Sequence, residues 1–365
     1  MRMIISGGGT GGHIYPALAL IEDLLKQEPQ SEVLYIGSTR GLEKEIVPKK
    51  GIPFKALKIQ GFKRSLSLYN FETVALFLKS VHNSKKIIKD FKPDVVIGTG
   101  GYVSGAVVYA ASKMHVPTMI HEQNSVVGLT NRFLSKHVDK IAVGFKDAIK
   151  QFPANKTFFA GNPRAQQVAN IQSDFKWSSY GLDDNKPTLL IFGGSQGALK
   201  INQVTAEAIK HFNGCDYQVV FVTGQKRYDS IMNYIDNNKI NVGNNVIIKD
   251  YISNMPEILP KVDAIIGRAG ATSLAEITAL GIPSILIPSP YVTADHQTKN
   301  ALSLVKNGAA LIITENDLNV KRLTENADQI MNNKNERMLM KENSYNMGCR
   351  NSADLVLDMA RSILK

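Results

Sequence analysis

Arg2-Met3-Ile4-Ile5-Ser6-Gly7-Gly8-Gly9-Thr10-Gly11-Gly12-His13 is the stretch that decides the fold. A short apolar strand runs into a glycine turn, and an apolar helical pattern follows from Ile14 to Leu25. Strand, glycine turn, helix is the layout that brings backbone amides close to a phosphate or a sugar. The pattern returns at Thr188-Leu189-Leu190-Ile191-Phe192, which feeds Gly193-Gly194-Ser195-Gln196-Gly197 and a second helix. Two such openings, nearly half a chain apart, predict two similar α/β domains facing a cleft.

Working outward, strand-like runs alternate with helix-like runs. Strands are predicted at Val33–Ile36, Val95–Ile97, Thr118–Ile120, Lys140–Val143 and Thr157–Phe159 in the first half. The second half offers Leu189–Phe192, Gln218–Val222, Val246–Lys249, Ala264–Ile266, Ser284–Ile287 and Ala310–Ile312. Runs that are apolar without alternation suit parallel strands buried on both faces. Amphipathic helices such as Phe71–Phe91 and Ile201–His211 lie between them. The fold class is therefore α/β, with two Rossmann-like, doubly wound parallel sheets. The domain boundary is predicted near Gly161-Asn162-Pro163, giving residues 1–162 and 163–346. The last helix, within about 347–365, carries a Leu355/Met359/Ile363 stripe and is expected to pack back on the first domain.

With 365 residues and 44% hydrophobic content, two globular domains are the natural prior. No run of about eighteen apolar residues is present, so no spanning helix is predicted. The opening strand speaks against a cleaved signal peptide. Cys215 and Cys349 lack metal spacing and fit a reduced compartment. The net charge of +11 is uneven. Residues 1–161 hold 22 Lys/Arg against 12 Asp/Glu, while the rest holds 21 against 20. Residues 54–92 alone hold nine basic and two acidic side chains, which points to an anionic partner surface. In Gly61-Phe62-Lys63-Arg64-Ser65-Leu66-Ser67-Leu68, and on through Phe77 and Lys79, apolar and basic side chains are mixed in a way that suits the headgroup boundary of an anionic bilayer. An ordinary amphipathic helix with a solvated basic face fits the same residues. No nucleic-acid motif accompanies the charge.

Gly7, Gly9 and Gly12 match G-x-G-x-x-G, a weak signal alone. A dinucleotide site also needs an acid at the end of the second strand. Here that strand ends Ile36-Gly37-Ser38-Thr39-Arg40, with none. His13, just past the glycines, reads either as a helix-end imidazole or as a general base. The Gly193–Gly197 turn offers amides, a hydroxyl and a positive helix end, which suits a diphosphate. In Arg268-Ala269-Gly270-Ala271-Thr272-Ser273-Leu274-Ala275-Glu276, small residues allow close ligand approach, and Glu276 could accept from two vicinal hydroxyls. His121-Glu122-Gln123-Asn124 and Asp295-His296-Gln297-Thr298 are polar runs at predicted carboxyl ends of strands, where ligands bind. No set of spaced ligands predicts a metal.

Taken together, GGGTGGH at 7–13, GTGGYVSG at 98–105, HEQN at 121–124, GNPR at 161–164, GGSQGA at 193–198, RAGATSLAE at 268–276 and DHQTKNA at 295–301 resemble the MurG family of peptidoglycan N-acetylglucosaminyltransferases. The resemblance spans most of the chain in the family's order. It implies the GT-B fold and an inverting, β-1,4 transfer of N-acetylglucosamine. The donor would be UDP-N-acetylglucosamine and the acceptor the C4 hydroxyl of the muramyl residue of lipid I, giving lipid II. It implies no cofactor, and a peripheral place on the cytoplasmic face of the cell membrane among cell-wall synthesis and division proteins. By the same resemblance Ser195, Gln196 and their amides would hold the diphosphate, Glu276 the ribose, and the Ile252 backbone the uracil. Thr10, Gly11, Gly12, Asn124, Arg164, Arg268, Ala271 and Gln297 would complete the donor pocket. His13, Tyr102 and Glu122 would lie on the acceptor side, with His13 the expected base and Glu122 in reserve. Arg268 would help neutralise the diphosphate. Two departures touch the donor loops: His296 stands where some members have a second glutamine, and no residue separates Pro163 from Arg164. A 2-epimerase acting on the same nucleotide sugar, a nicotinamide oxidoreductase and a non-catalytic binding module are the rival readings.

Overall fold

The structure is a computed structural model that describes residues 1–61, 68–194 and 197–364, without the side chains of Leu68 and Thr293. Thirteen strands are found in the described residues. The first seven are β1 (Arg2–Gly7), β2 (Glu32–Ser38), β3 (Phe54–Leu57), β4 (Val95–Gly100), β5 (Thr118–Glu122), β6 (Lys140–Val143) and β7 (Thr157–Phe159). The remaining six are β8 (Thr188–Phe192), β9 (Gln218–Val222), β10 (Val246–Lys249), β11 (Ala264–Gly267), β12 (Ser284–Leu286) and β13 (Ala310–Ile312). They form two sheets, ordered β3-β2-β1-β4-β5-β6-β7 and β10-β9-β8-β11-β12-β13. Every strand pair is parallel.

Unalternating apolar strands bury both faces, as predicted. In the first sheet Met3, Ile5, Tyr35, Val95 and Ile97 enter one core, whereas Ile4, Leu34, Ile36 and Val96 enter the other. The helix Gly11–Gln27 covers the first of these with Ile14, Ala17, Leu18, Ile21 and Leu24, spaced for one helical face. In each sheet the strand order reverses once, between β1 and β4 and between β8 and β11. Those switch points are where an open α/β sheet leaves a crevice beyond its strand ends.

The chain divides into Met1–Gln167 with Cys349–Lys365, and Val168–Gly348. The first division falls a few residues beyond the predicted 162/163, because the helix that starts at Pro163 belongs with the first unit. Gln166 Oε1 accepts from the amides of Ala353 and Asp354 at 2.8 and 3.1 Å. The Ser352 hydroxyl donates to the Asn162 carbonyl at 2.5 Å. The last helix, Ser352–Arg361, thus lies on the first unit, with Ala353, Val356, Leu357 and Ala360 fully buried. The predicted stripe Leu355, Met359 and Ile363 flanks that face and is only partly buried.

The predicted helix over 71–91 runs Leu68–Phe91. Phe77 packs against Tyr109 and Phe133, so it faces protein, not a bilayer. The solvent-facing apolar residues are its neighbours Phe71, Val74 and Leu78, the first 76% exposed. Lys79 is exposed beside them. Phe62, Lys63, Arg64 and Leu66 lie outside the described residues.

Candidate active site

At the first switch point the register shifts between Ser6 and Gly7, so that Gly7 pairs with Gly100. The Gly8 amide then donates to the Gly100 carbonyl at 3.2 Å. Gly100 and Gly101 have φ of +113° and +83°. A Cβ at Gly100 would lie 2.7 and 2.8 Å from Cδ2 and Nε2 of His13, and one at Gly101 would overlap the Gly8 carbonyl. Glycine is required at both to let β4 close on the turn. His13 therefore sits with its ring over Gly100. Its Nδ1 lies 2.9 Å from the Gly8 carbonyl oxygen. A carbonyl only accepts, so Nδ1 carries a proton, and Nε2 is the ring nitrogen left to exchange one. The Thr99 hydroxyl fixes the backbone beneath by donating to the His13 carbonyl at 2.8 Å.

Behind the turn stands a residue the sequence reading missed. Glu43 is fully buried. It accepts from the Gly9 amide at 3.0 Å, the Ser38 amide at 2.8 Å and the Ser38 hydroxyl at 2.6 Å. A Cβ at Gly8, Gly37 or Gly41 would collide with this side chain. An acid does reach the end of β2, arriving from the next helix and turned inward on the turn. The three glycines that house it are scattered, so no local pattern announces it.

At the end of β5, Glu122 is 3% exposed. It accepts from the Asn124 amide and side chain at 3.1 and 3.2 Å, the Gly128 amide at 3.1 Å and Asn131 Nδ2 at 2.9 Å. Four donors occupy its lone pairs, which fits a carboxylate that shapes the 122–131 loop. His121 is buried, with Nε2 2.7 Å from the Gly161 carbonyl. Burial pushes its pKa down, ahead of the opposing pull of that carbonyl and of Glu122. Gln123 ties β5 to β4 through the Thr99 carbonyl at 2.8 Å. Tyr102 is 47% exposed and lies against Gly61. Thr10 is exposed at the helix start, where its carbonyl accepts from His13 and Ile14, and Gly11 and Gly12 form the first turn. Asn124 is half-buried. The Arg164 guanidinium sits 5.7 Å over the Tyr15 ring and donates to Gln167 at 2.5 Å.

The second switch point is built differently. Gly194 and Gly197 have φ of +87° and +69°, and the Gly197 amide closes the turn on the Gly194 carbonyl at 2.9 Å. Ser195 and Gln196 lie outside the described residues. The helix Leu199–Phe212 follows Ala198, and the helix Ala271–Leu280 follows Gly270; neither start has a capping side-chain bond. Such starts carry free amides and partial positive charge. Nothing would meet a Cβ at Gly194 or Gly270 within 4 Å. Ala271 opens the second helix and is 8% exposed. The Thr272 hydroxyl is buried without a hydrogen-bond partner among the described residues. Glu276, half-buried, follows four residues later on the same helical face. Ile252 is buried just beyond β10.

Arg268 departs from expectation. Its guanidinium donates to the carbonyls of Ile287 and Pro288, both at 3.1 Å, and pairs with Glu315 at 2.5 Å. Both partners of that pair are largely buried, so the cation is already matched and braces the ends of β12 and β13. Gln297 Oε1 accepts from the Ser289 amide at 2.9 Å, and Asn300 donates to the Ala269 carbonyl at 3.2 Å. The 295–301 run thereby fixes the two neighbouring loops. Among the described residues one mixed cluster could ligate a metal: His211, Cys215 and Asp328, with ligand atoms within 4.8 Å of one another. It falls where the helix from the glycine turn ends, away from the turn itself.

Two doubly wound parallel-sheet domains in one chain, each with a glycine turn at its switch point, define the GT-B class. The glycosyltransferase family 28 N-terminal domain matches residues 3–143, and its C-terminal domain matches residues 188–356. The chain belongs to that glycosyltransferase family. It is 65% identical to a Levilactobacillus brevis protein over 363 residues, covering 100% of this chain and 99% of the relative. That relative is named UDP-N-acetylglucosamine--N-acetylmuramyl-(pentapeptide) pyrophosphoryl-undecaprenol N-acetylglucosamine transferase. Among solved structures, Acinetobacter baumannii MurG is similar at TM-score 0.79 and 26% identity, over 99% of both chains. A UDP-N-acetylglucosamine 2-epimerase described for Listeria monocytogenes shares the fold at TM-score 0.73 and 13% identity, over 99% of this chain and 96% of that one.

Proposed function

We propose that this enzyme is an inverting transferase that moves N-acetylglucosamine from UDP-N-acetylglucosamine to the C4 hydroxyl of the muramyl residue of lipid I, giving lipid II. The observation that carries the substrate assignment is the 65% identity, from end to end, with a relative so named. The site supports the chemistry. In one displacement the acceptor oxygen bonds to the anomeric carbon as the bond from that carbon to the UDP oxygen breaks. The hydroxyl proton passes to His13 Nε2. UDP leaves with the bonding pair, its charge met by the two uncapped helix starts and the turn amides at the second switch point. Glu276, with Thr272 beside it, suits the ribose hydroxyls. Ser195, Gln196, Ile252, Ala271 and Gln297 complete the donor side in this reading, and Arg268 acts by holding its loop. Tyr102 lies on the acceptor side, and Glu122 shapes the loop there.

Labelled UDP-N-acetylglucosamine incubated with a lipid I analogue tests the proposal. The expected product is labelled disaccharide-lipid and one UDP per transfer. Conversion of the donor to its 2-epimer without transfer would support the rival reading instead.

The acceptor's lipid anchor would require a surface-bound enzyme. No helix among the described residues is long and apolar enough to cross a membrane. Phe71, Val74 and Leu78 form an exposed i, i+3, i+7 stripe; Phe133, beside Phe77, and Leu129 are exposed as well. With the basic residues of 54–92, this stripe supports attachment to an anionic bilayer. Phe71→Glu with Leu78→Glu should abolish sedimentation with phosphatidylglycerol vesicles; full retention would contradict this attachment.

A further inference from the structure

We propose that Glu43 sets the basicity of His13 through the single peptide unit joining Gly8 to Gly9. The inference rests on the reading of His13 as the base. The N–H of that peptide, on Gly9, donates to Glu43 at 3.0 Å. The C=O of the same peptide, on Gly8, accepts from His13 Nδ1 at 2.9 Å. A carboxylate on the amide side of a peptide draws the N–H and pushes charge onto the carbonyl oxygen, which becomes a stronger acceptor. A stronger acceptor at Nδ1–H stabilises the imidazolium and makes Nε2 a better base. The arrangement works as a carboxylate–histidine pair with one amide inserted.

The surroundings favour this use of the charge. Glu43 is fully buried, and no cation pairs with it among the ion pairs of the described residues. Its other partners, the Ser38 amide and hydroxyl, are neutral. Tyr35 faces it from β2; that phenol donates to the Gly7 carbonyl at 3.0 Å. Burial first, and the charge of Glu43 second, push the Tyr35 pKa up, so it stays neutral. From β4 His13 meets the uncharged Thr99 and Gly100. His121 and Glu122 end the next strand, the first kept neutral by burial. Lys44 and Glu45 follow Glu43 on its own helix, and Tyr15 stands two residues from His13.

The test is a ring-nitrogen NMR titration of His13 in the full chain, its signal assigned by loss in His13→Gln. In Glu43→Gln, which keeps the shape and removes the charge, the His13 pKa should fall by about one unit. The acid limb of kcat/KM should move with it, and neutral-pH turnover should fall about three- to tenfold. Glu43→Asp, which keeps the charge, should return the titration toward wild type. A folded Glu43→Gln protein with an unmoved His13 pKa would overturn the relay. Should that variant fail to fold, Ser38→Ala decides. Losing one donor to Glu43 leaves more charge for the Gly9 amide, so the His13 pKa should rise; no change or a fall would overturn the relay. Failure of the base assignment itself is separate: it would appear as near-normal turnover in His13→Ala, whatever the titration shows.

Discussion

The glycine turns after β1 and after β8 begin alike, yet their neighbourhoods are filled differently. At the first, protein groups take the space: Glu43 lies behind the turn and the His13 ring lies over Gly100. At the second, the space stays open around Gly194 and Gly270, and the Thr272 hydroxyl has no partner among the described residues; the helix starts at both turns lack a side-chain cap. Both turns bring bare backbone to a switch point. One uses it to hold a side chain at a fixed angle and tautomer, the other leaves room for the anion proposed to bind there. A glycine fingerprint thus predicts close approach without saying what approaches.

The contrast breaks most sharply in kinetics. His13→Ala should lower turnover by about 10²–10⁴-fold. The donor KM should stay within about twofold if the second turn holds the donor, as proposed. Steady-state rates with a lipid I analogue read both, and near-normal turnover would remove His13 from the chemistry. Glu276→Ala should show the reverse pattern. Loss of a charged acceptor for two hydroxyls should raise the donor KM about ten- to a hundredfold, with a smaller change in turnover. Equal effects of both variants on both constants would erase the division of labour between the turns.

Stability gives a finer cut within the second turn. Gly194 and Gly197 share a positive φ, so alanine at either pays roughly 1–2 kcal/mol for the left-handed backbone. Gly194 has open space around its Cα, whereas a Cβ at Gly197 would overlap the Thr223 carbonyl oxygen. That carbonyl is held by Asn202 Nδ2 at 2.7 Å and cannot swing away. Gly197→Ala should therefore cost about 3 kcal/mol or more, and Gly194→Ala only the backbone term. Urea denaturation of the two variants measures the gap; equal losses would mean that the turn relaxes freely.

Periodicity carried nearly all of the fold and less of the site. Every predicted strand is found, with ends within two residues except at β4, which runs three further to Gly100, because runs such as Val95–Ile97 are buried on both faces and admit no polar alternation. β3 escaped prediction: Phe54-Lys55-Ala56-Leu57 is four residues long, edges the sheet and exposes its two middle residues. The glycine turns and His13 were legible because their chemistry is local. Partnerships were not. Arg268 looks like a free cation in sequence until Glu315, 47 positions on, matches it. Glu43 lies in an ordinary helix start, and only the folded chain brings Gly8, Gly37 and Gly41 around it. Thr272 needed the helix Ala271–Leu280 in place before its alignment with Glu276 could be seen.

The smallest expected effect concerns how each domain handles positive φ near its switch point. The first domain spends glycines there, at 100 and 101. The second uses Gly194 and Gly197 at its turn but, on a neighbouring loop, also places Ala294 and Asp295 at φ of +57° and +50°, just ahead of the helix His296–Lys306 that carries Gln297. Alanine in that region costs roughly 1–2 kcal/mol, and glycine gives back about 0.5–1 kcal/mol of this through the greater freedom of its unfolded chain. Ala294→Gly should therefore stabilise the protein by about 0.5–1 kcal/mol, a rise in Tm of about 1–4 °C. Asp295→Gly should gain nothing, since it also removes the acceptor of the Thr298 hydroxyl bond at 2.7 Å. If Ala294→Gly raises Tm and also raises the donor KM, the strained start holds Gln297 in place for the donor. A rise in Tm with an unchanged KM would make the strain incidental, and the second domain's loop would then differ from the first in composition alone.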